Sequence, residues 1–285
     1  KTPPYFTIRM WSQKLHSIDS KYFVPYNIQY TKALSQKNGH LDHINEEVII
    51  MKPYQGVLAV IIYLLSQILI YCYISEDYYT IITGLIALIV FAFLLHKKKM
   101  LHISRKDFMM PKVLFCLGIG FGLSLISKVA ILIGVWSGQP IPEASLPNLS
   151  LRIITSVVLL PVVEELLFRG ILFNSLSNSI PYKKAILFSA IIFMLVHDIV
   201  SWPSAFLCGV LLAWIYWSTN TLATVMIIHC TVNLGSLLSI PLYMLLTADK
   251  LWGTIICLLA VLIGIVITYI STKLLLTKND VLPSW

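Results

Sequence analysis

Between Gly56 and Ile270 the chain passes through about eight apolar stretches, most of them near the length that crosses a bilayer. A hydrocarbon core about 30 Å thick takes about 20 helical residues. Inside it every backbone N–H and C=O must be bonded within the protein, so the folds open to such a chain are few. The stretches run from Gly56 to Ile74, Tyr78 to Leu95, Val113 to Trp136, Leu151 to Leu172, Ala185 to Val200, Pro203 to Trp217, Thr221 to Leu238 and Leu251 to Ile270. The expectation is an all-α, polytopic membrane helical bundle of about eight transmembrane helices. The fifth and sixth stretches are short and are expected to be tilted or to span only partly.

Composition agrees. Of 285 residues, 58% are hydrophobic and 12% charged, with a mean hydropathy of +0.82. A soluble domain carries about 25% charged residues. The net charge of +8 does not point to nucleic acid, because the basic residues gather at the ends of apolar stretches, where they set orientation. Lys97, Lys98, Lys99, Arg105, Lys106 and Lys112 share one loop, Lys183 and Lys184 another, and Lys273 and Lys278 close the chain. The alternate loops hold Glu76, Asp77, Glu143 and Asp198, with Arg152 and Lys250 as single exceptions. This asymmetry predicts that both termini are cytoplasmic. The loop from Ser137 to Ser150, with Pro140, Pro142 and Pro147, reads as stiff and external. Residues 1–50 lack a continuous apolar core, so no secretory signal is expected there.

The five cysteines, Cys72, Cys116, Cys208, Cys230 and Cys257, sit in or beside apolar runs without a Cys-x-x-Cys spacing. They read as small buried hydrophobes. Lys128 lies in the third stretch and is expected to snorkel toward the interface, or else to pair with Glu164 or Glu165.

Against this apolar background, three fragments place ionisable and amide groups at bilayer depth. They are Glu164-Glu165-Leu-Leu-Phe-Arg169, Phe193-Met-Leu-Val-His197 and His229-Cys-Thr-Val-Asn233. A charge there costs several kcal/mol, so such residues are functional candidates. Glu165 and Arg169, four apart, share a helix face and pair naturally. Glu164 points about 100° away and is left uncompensated. Pro161, three residues earlier, is expected to open the helix to water. A carboxylate so placed suits general-base work, and His197, one span later, is near enough in the topology to share its water. Asp198 caps the next turn. His229 and Asn233 form one stripe and offer donors for an oxyanion. Structural readings stand beside these: a Glu–Arg clamp, an interfacial histidine, and interhelical hydrogen bonding by Asn233. Two His and two Glu could also ligate zinc, although His-Glu-x-x-His is absent and Arg169 competes with a cation.

Glu-Glu-x-x-x-Arg, Phe-x-x-x-His and His-x-x-x-Asn, in this order on successive apolar segments, resemble the CAAX-protease and bacteriocin-processing family. The likeness covers roughly Leu151 to Leu238. The family comprises intramembrane glutamate proteases and related immunity proteins. The resemblance implies an intramembrane endopeptidase that uses water without metal or other cofactor. Its motif residues would be Glu164, activating water with His197; Glu165 with Arg169, shaping the site; and His229 with Asn233, stabilising the oxyanion. It implies a peptide or protein substrate in the membrane, no nucleic acid, and a bacterial plasma-membrane location. The segments are expected to divide into a polar arm over 1–52, two accessory helices and a basic loop over 53–112, a catalytic core over 113–246, and a last helix and tail over 247–285. A non-enzymatic immunity or scaffold protein is one alternative. A transporter is another, against which the lack of an internal repeat weighs.

Overall fold

The computed structural model describes residues 51–73, 76–101, 103, 105–138, 153–237 and 239–278. The polar arm up to residue 50, most of the proline-rich segment expected to be an external loop, Arg152 and the C-terminal end lie outside the described residues. The described residues belong to one unit.

Among the described residues, ten helices trace eight passes. They are α1 (Pro53–Tyr71), α2 (Glu76–Lys97), α3 (Met110–Ile126), α4 (Val129–Trp136), α5 (residues 153–177), α6 (Tyr182–Leu195), α7 (Trp202–Thr219), α8 (Leu222–Ser236), α9 (Ser239–Ala248) and α10 (Lys250–Lys278). Helices α3 and α4 form one pass with a break at Ser127–Lys128, and α8 and α9 form another. No strand occurs among the described residues. Among the described residues, five passes are long and apolar enough to cross a membrane: Pro53–Tyr71, Tyr78–Lys97, Met110–Trp136, Leu222–Ala248 and Lys250–Thr277. The chain is therefore a polytopic helical bundle. As its short apolar run implies, α6 has only 14 residues, a length of about 21 Å at 1.5 Å per residue.

Local chemistry sets the ends. Prolines open α1, α3 and α7 within their first two positions, where a missing N–H costs nothing. Asp198 caps the 3₁₀ turn Ile199–Ser201: its Oδ1 accepts from the Ser201 N–H at 3.0 Å and its Oδ2 from the Ser201 hydroxyl at 2.8 Å. Asn220 ends α7 in a left-handed conformation, φ 52°, which asparagine tolerates.

Helix α3 packs on both α8 and α10. Gly118, Gly120 and Gly122 line those contacts; a methyl on them would collide with Ser271, Thr231 and Thr268 respectively. Lipid supplies no hydrophobic force between helices, so association depends on such close approach. Helix α6 packs on α7, and α1 lies along the second half of α5.

Lys128 departs from expectation. It neither snorkels nor meets a glutamate. Its side chain is only 2% exposed, and its Nζ donates to the Gly235 carbonyl at 3.0 Å and to Ser239 Oγ at 2.8 Å. The break between α3 and α4 faces the C-terminal end of α8, where Lys128 reaches the Gly235 carbonyl. A cation at the C-terminal end of α8 meets the negative end of its dipole, which outweighs a longer reach to water. Three of the cysteines, Cys116, Cys208 and Cys257, are buried; Cys230 is half-buried and Cys72 exposed.

Helix α5 carries the glutamates and is the least regular element. It is π-helical over Thr155–Leu159 and again over Leu166–Phe173, with α-helical Leu160–Glu165 between. Pro161, buried in the middle stretch, has no N–H for the carbonyl one turn back, and the preceding turn widens there. Every residue from Glu165 to Asn178 is buried.

Candidate active site

The wide turns of α5 hold Glu164 and Glu165 in unlike surroundings. Glu165 is fully buried and Arg169 is 1% exposed; Nη1 of Arg169 donates to Glu165 Oε1 at 2.8 Å. The guanidinium is held on two further sides. Its Nη2 donates to the Gly209 carbonyl of α7 at 3.3 Å, and its Cζ lies 4.7 Å from the centre of the Phe193 ring on α6. Arg169 thus ties three helices together and compensates a carboxylate that would otherwise be buried alone.

His229 of α8 completes the group. Its Nδ1 lies 2.7 Å from the same Glu165 Oε1. A carboxylate only accepts, so Nδ1 donates and the ring is oriented by Glu165. The other nitrogen, Nε2, is then turned to Glu164 Oε2 at 3.6 Å, just beyond direct hydrogen bonding. Glu164 keeps 23% of its side chain exposed. One glutamate is a buried orienting group and its neighbour is reachable, and one imidazole spans both.

His197 lies in the turn just past α6. Its Nδ1 donates to the Phe193 carbonyl at 2.7 Å, leaving Nε2 as the free ring nitrogen. Trp202 Nε1 donates to the His197 carbonyl at 3.0 Å and pins this turn against α7. The Phe193 ring stands beside both imidazoles, with centroids 4.5 Å from His197 and 5.8 Å from His229. Asn233, one turn after His229, donates through Nδ2 to the Ser156 carbonyl at 2.8 Å. That bond reaches the first π-helical turn of α5, whose carbonyls are out of α-helical register.

A cavity of about 200 Å³ opens on this group, walled by His197, His229, Asn233, Ser127, Ser204 and Cys208. The carboxylates are not part of its wall. His229 both lines the cavity and touches the glutamates, so it is the side chain that joins them. Among the described residues, no group of three or more His, Cys, Asp or Glu side chains is disposed to hold a metal ion.

The comparisons with known proteins bear on the same stretch. A profile described as type II CAAX prenyl endopeptidase, Rce1-like, matches residues 146–235. UPF0177 protein YxdF of Lactococcus lactis subsp. lactis (strain IL1403) is 32% identical over 138 residues, an alignment that covers 46% of this chain and 75% of that protein. The chain belongs to the CAAX-protease and bacteriocin-processing family. No solved structure matches it.

Membership of the CAAX-protease family makes this an integral membrane protein of an endopeptidase family. The matched residues 146–235 include all three motif fragments. The structure brings Glu165, Arg169 and His229 into one hydrogen-bonded group with Glu164 facing His229 at 3.6 Å, and places His197 and Asn233 on the adjoining cavity wall. Sequence reasoning pairs Glu165 with Arg169 but leaves out the His229–Glu165 bond, which joins residues 64 apart in the chain. It also leaves out the Phe193 ring and the Gly209 carbonyl as supports for Arg169. A glycine carbonyl inside a helix carries no sequence signal; the Phe193 position inside the second motif does.

Proposed function

We propose that this chain is an intramembrane endopeptidase in which a glutamate activates water to cut a membrane-associated peptide or a leader or C-terminal segment. The observation that carries the reading is the unequal pair of adjacent carboxylates. Glu165 takes hydrogen bonds from both Arg169 and His229, whereas Glu164 is partly exposed and faces His229 Nε2. Adjacent carboxyls in unlike environments are a recurring way to divide roles.

In this mechanism Glu164 takes a proton from water as the water attacks the scissile carbonyl. His197, whose Nε2 is free, holds that water from the cavity side. His229, oriented by Glu165, passes a proton between Glu164 and the leaving amine. Asn233 spends one N–H on Ser156 and has a second for the oxyanion, beside His229. Arg169 keeps Glu165 in place and touches no substrate. Water is activated without metal: the Arg169 guanidinium, paired with Glu165 Oε1, competes with a cation for that carboxylate. The substrate enters sideways from the bilayer, and the host is bacterial.

The deciding experiment compares membrane peptides in cells carrying the wild type and Glu164→Gln. Peptides that accumulate only with the variant are the expected result, with unchanged folding of the purified variant. Wild-type turnover by Glu164→Gln overturns the assignment. Exhaustive chelation should leave cleavage of such a peptide unchanged, whereas a loss reversed by added zinc would make His197 and His229 ligands instead.

A further inference from the structure

The wall of the cavity at the site carries more polar atoms than the hydrolysis uses. Ser127 at the end of α3, Ser201 and Ser204 around the start of α7, and Ser236 at the end of α8 all line it. A serine hydroxyl has one hydrogen to donate and lone pairs to accept with. Each of these four spends its hydrogen close by. Ser127 donates to the Ser124 carbonyl at 2.7 Å, Ser204 to the Ser201 carbonyl at 2.8 Å, and Ser236 to the Asn233 carbonyl at 2.6 Å. These are the short back-bonds that serine makes within its own helix. Ser201 donates to Asp198 Oδ2 at 2.8 Å. None of the four serines is buried, so what they turn to the cavity is acceptors. His197 adds another: with its hydrogen on Nδ1 and bonded to the Phe193 carbonyl, its Nε2 carries a lone pair.

The charges around the cavity agree with this wall. Among the described residues that line it, none is Lys or Arg. Lys128, next to Ser127, is turned away to the Gly235 carbonyl and Ser239 Oγ. Behind Ser201 stands Asp198, an exposed carboxylate in the turn between α6 and α7. The remaining N–H of Asn233 is the donor that serves the oxyanion. A carboxylate in this cavity would find acceptors facing its own lone pairs, and a hydrocarbon chain would cover the hydroxyl oxygens and give them nothing. The match is a group that only donates. Lysine, with three donors, and arginine, with five, are the side chains that offer several donors and no acceptor. Both also carry an apolar stem, and Leu123, Ile126, Leu207 and Val232 supply apolar wall for one.

We propose that the cavity is a specificity subsite for one basic residue of the substrate polypeptide, next to the bond that is cut. The stem of that residue lies along the apolar wall, its N–H groups donate to Ser127, Ser204 and Ser236, and Asp198 draws its charge to the rim. His197 Nε2 stays with the attacking water, and Asn233 with the oxyanion. The proposal rests on the peptidase reading for the bond that is cut; recognition of the cation does not depend on it.

The test measures binding by full-length Glu164→Gln protein in phosphatidylcholine vesicles, read as energy transfer from protein tryptophan to a dansyl label. The probes are leucine–alanine peptides of about 20 residues, enough for one crossing, alike except for one residue near an end: lysine, norleucine or glutamate. The lysine probe is expected to bind roughly tenfold more tightly than the norleucine probe, through its charge-assisted hydrogen bonds, and the glutamate probe most weakly. Ser127→Ala with Ser204→Ala should bring lysine level with norleucine, while undiminished norleucine binding shows that the fold is kept. If that double variant fails to fold, the single changes carry the same test, each lowering lysine binding roughly threefold. Asp198→Asn still caps its turn and should weaken the lysine probe more at low salt than at high salt. Equal binding of lysine and norleucine by the parent protein overturns the proposal. So does a lysine preference that survives the serine changes. If the preference holds and depends on the serines while wild-type protein cuts no peptide, the subsite stands and the peptidase reading falls. If the peptides that accumulate in cells with Glu164→Gln carry no basic residue beside their cut, the peptidase reading stands and the subsite falls.

Discussion

At the scale of single residues, the site divides by what each group has to balance. Arg169 makes the only ion pair of Glu165 with a permanently charged side chain among the described residues, and both are buried. Arg169→Ala leaves the buried Glu165 carboxylate without its permanent countercharge, held by His229 alone, and should cost about 3–5 kcal/mol of stability. Replacing both, Glu165→Gln with Arg169→Met, should recover much of that loss, because no charge is then stranded. Thermal melts of the three proteins in one detergent check this. A melting temperature for Arg169→Ala equal to the parent's would show that the pair carries no stability. Asn233 is the residue where structure and chemistry compete. If its second N–H serves the oxyanion, Asn233→Ala lowers kcat by about 10²–10³-fold while KM moves little. If the bond to the Ser156 carbonyl is its whole role, the folded protein turns over normally and loses about 0.6 kcal/mol of stability. Turnover corrected for folded protein separates the two.

At the scale of elements, the irregularity of α5 places the carboxylates. π-helical turns recur at functional sites because they rotate side chains off the α-helical stripe. Here they flank the six α-helical residues that end in Glu164 and Glu165. Pro161→Ala restores the missing donor and favours a regular turn, with an intrinsic gain in helix propensity of up to about 3 kcal/mol. The expected outcome is a protein of equal or higher melting temperature with at least tenfold lower kcat/KM. An unchanged kcat/KM would show that the widened turn before Pro161 does not set the geometry. A second element-level device is the buried Lys128, which bridges the two broken passes. Lys128→Met removes donors from the Gly235 carbonyl and the Ser239 hydroxyl and should destabilise by about 1–3 kcal/mol. That carbonyl belongs to the last turn of the helix that carries His229 and Asn233, so a larger loss of turnover than of folded protein is expected.

At the scale of the whole molecule, orientation follows from loop charge. The basic loop between α2 and α3 is expected inside and the end of α4 outside. On a cysteine-free background, Ser137→Cys should react with an impermeant thiol reagent in intact cells, and Lys98→Cys only after lysis. Labelling of Lys98→Cys in intact cells would invert the topology and put the end of α10 at Lys273 on the outer face. The passes differ in role by burial: α5 is enclosed along its second half, while α1, α2 and α10 present long apolar faces outward. Enclosing the half of α5 that carries Glu165 and Arg169 lets those charges persist at depth.

The sequence by itself determined the class of fold, since apolar stretches of this length leave helices as the practical way to satisfy the backbone in lipid. It determined the Glu165–Arg169 pairing, which needs only the i,i+4 spacing of one helix, and the cap at Asp198, which needs three residues. It also carried the family, through three short fragments in order. What only the tertiary structure decided involves contacts distant in the chain. His229 bridges the two glutamates because α8 crosses α5, and no local pattern encodes that. Lys128 turns inward because the break after α3 faces the C-terminal end of α8, where the Gly235 carbonyl and the Ser239 hydroxyl accept from it. The π-helical turns of α5 are hinted at by Pro161, but their extent over Leu166–Phe173 depends on packing against α1, α2 and α6, which local propensity does not record.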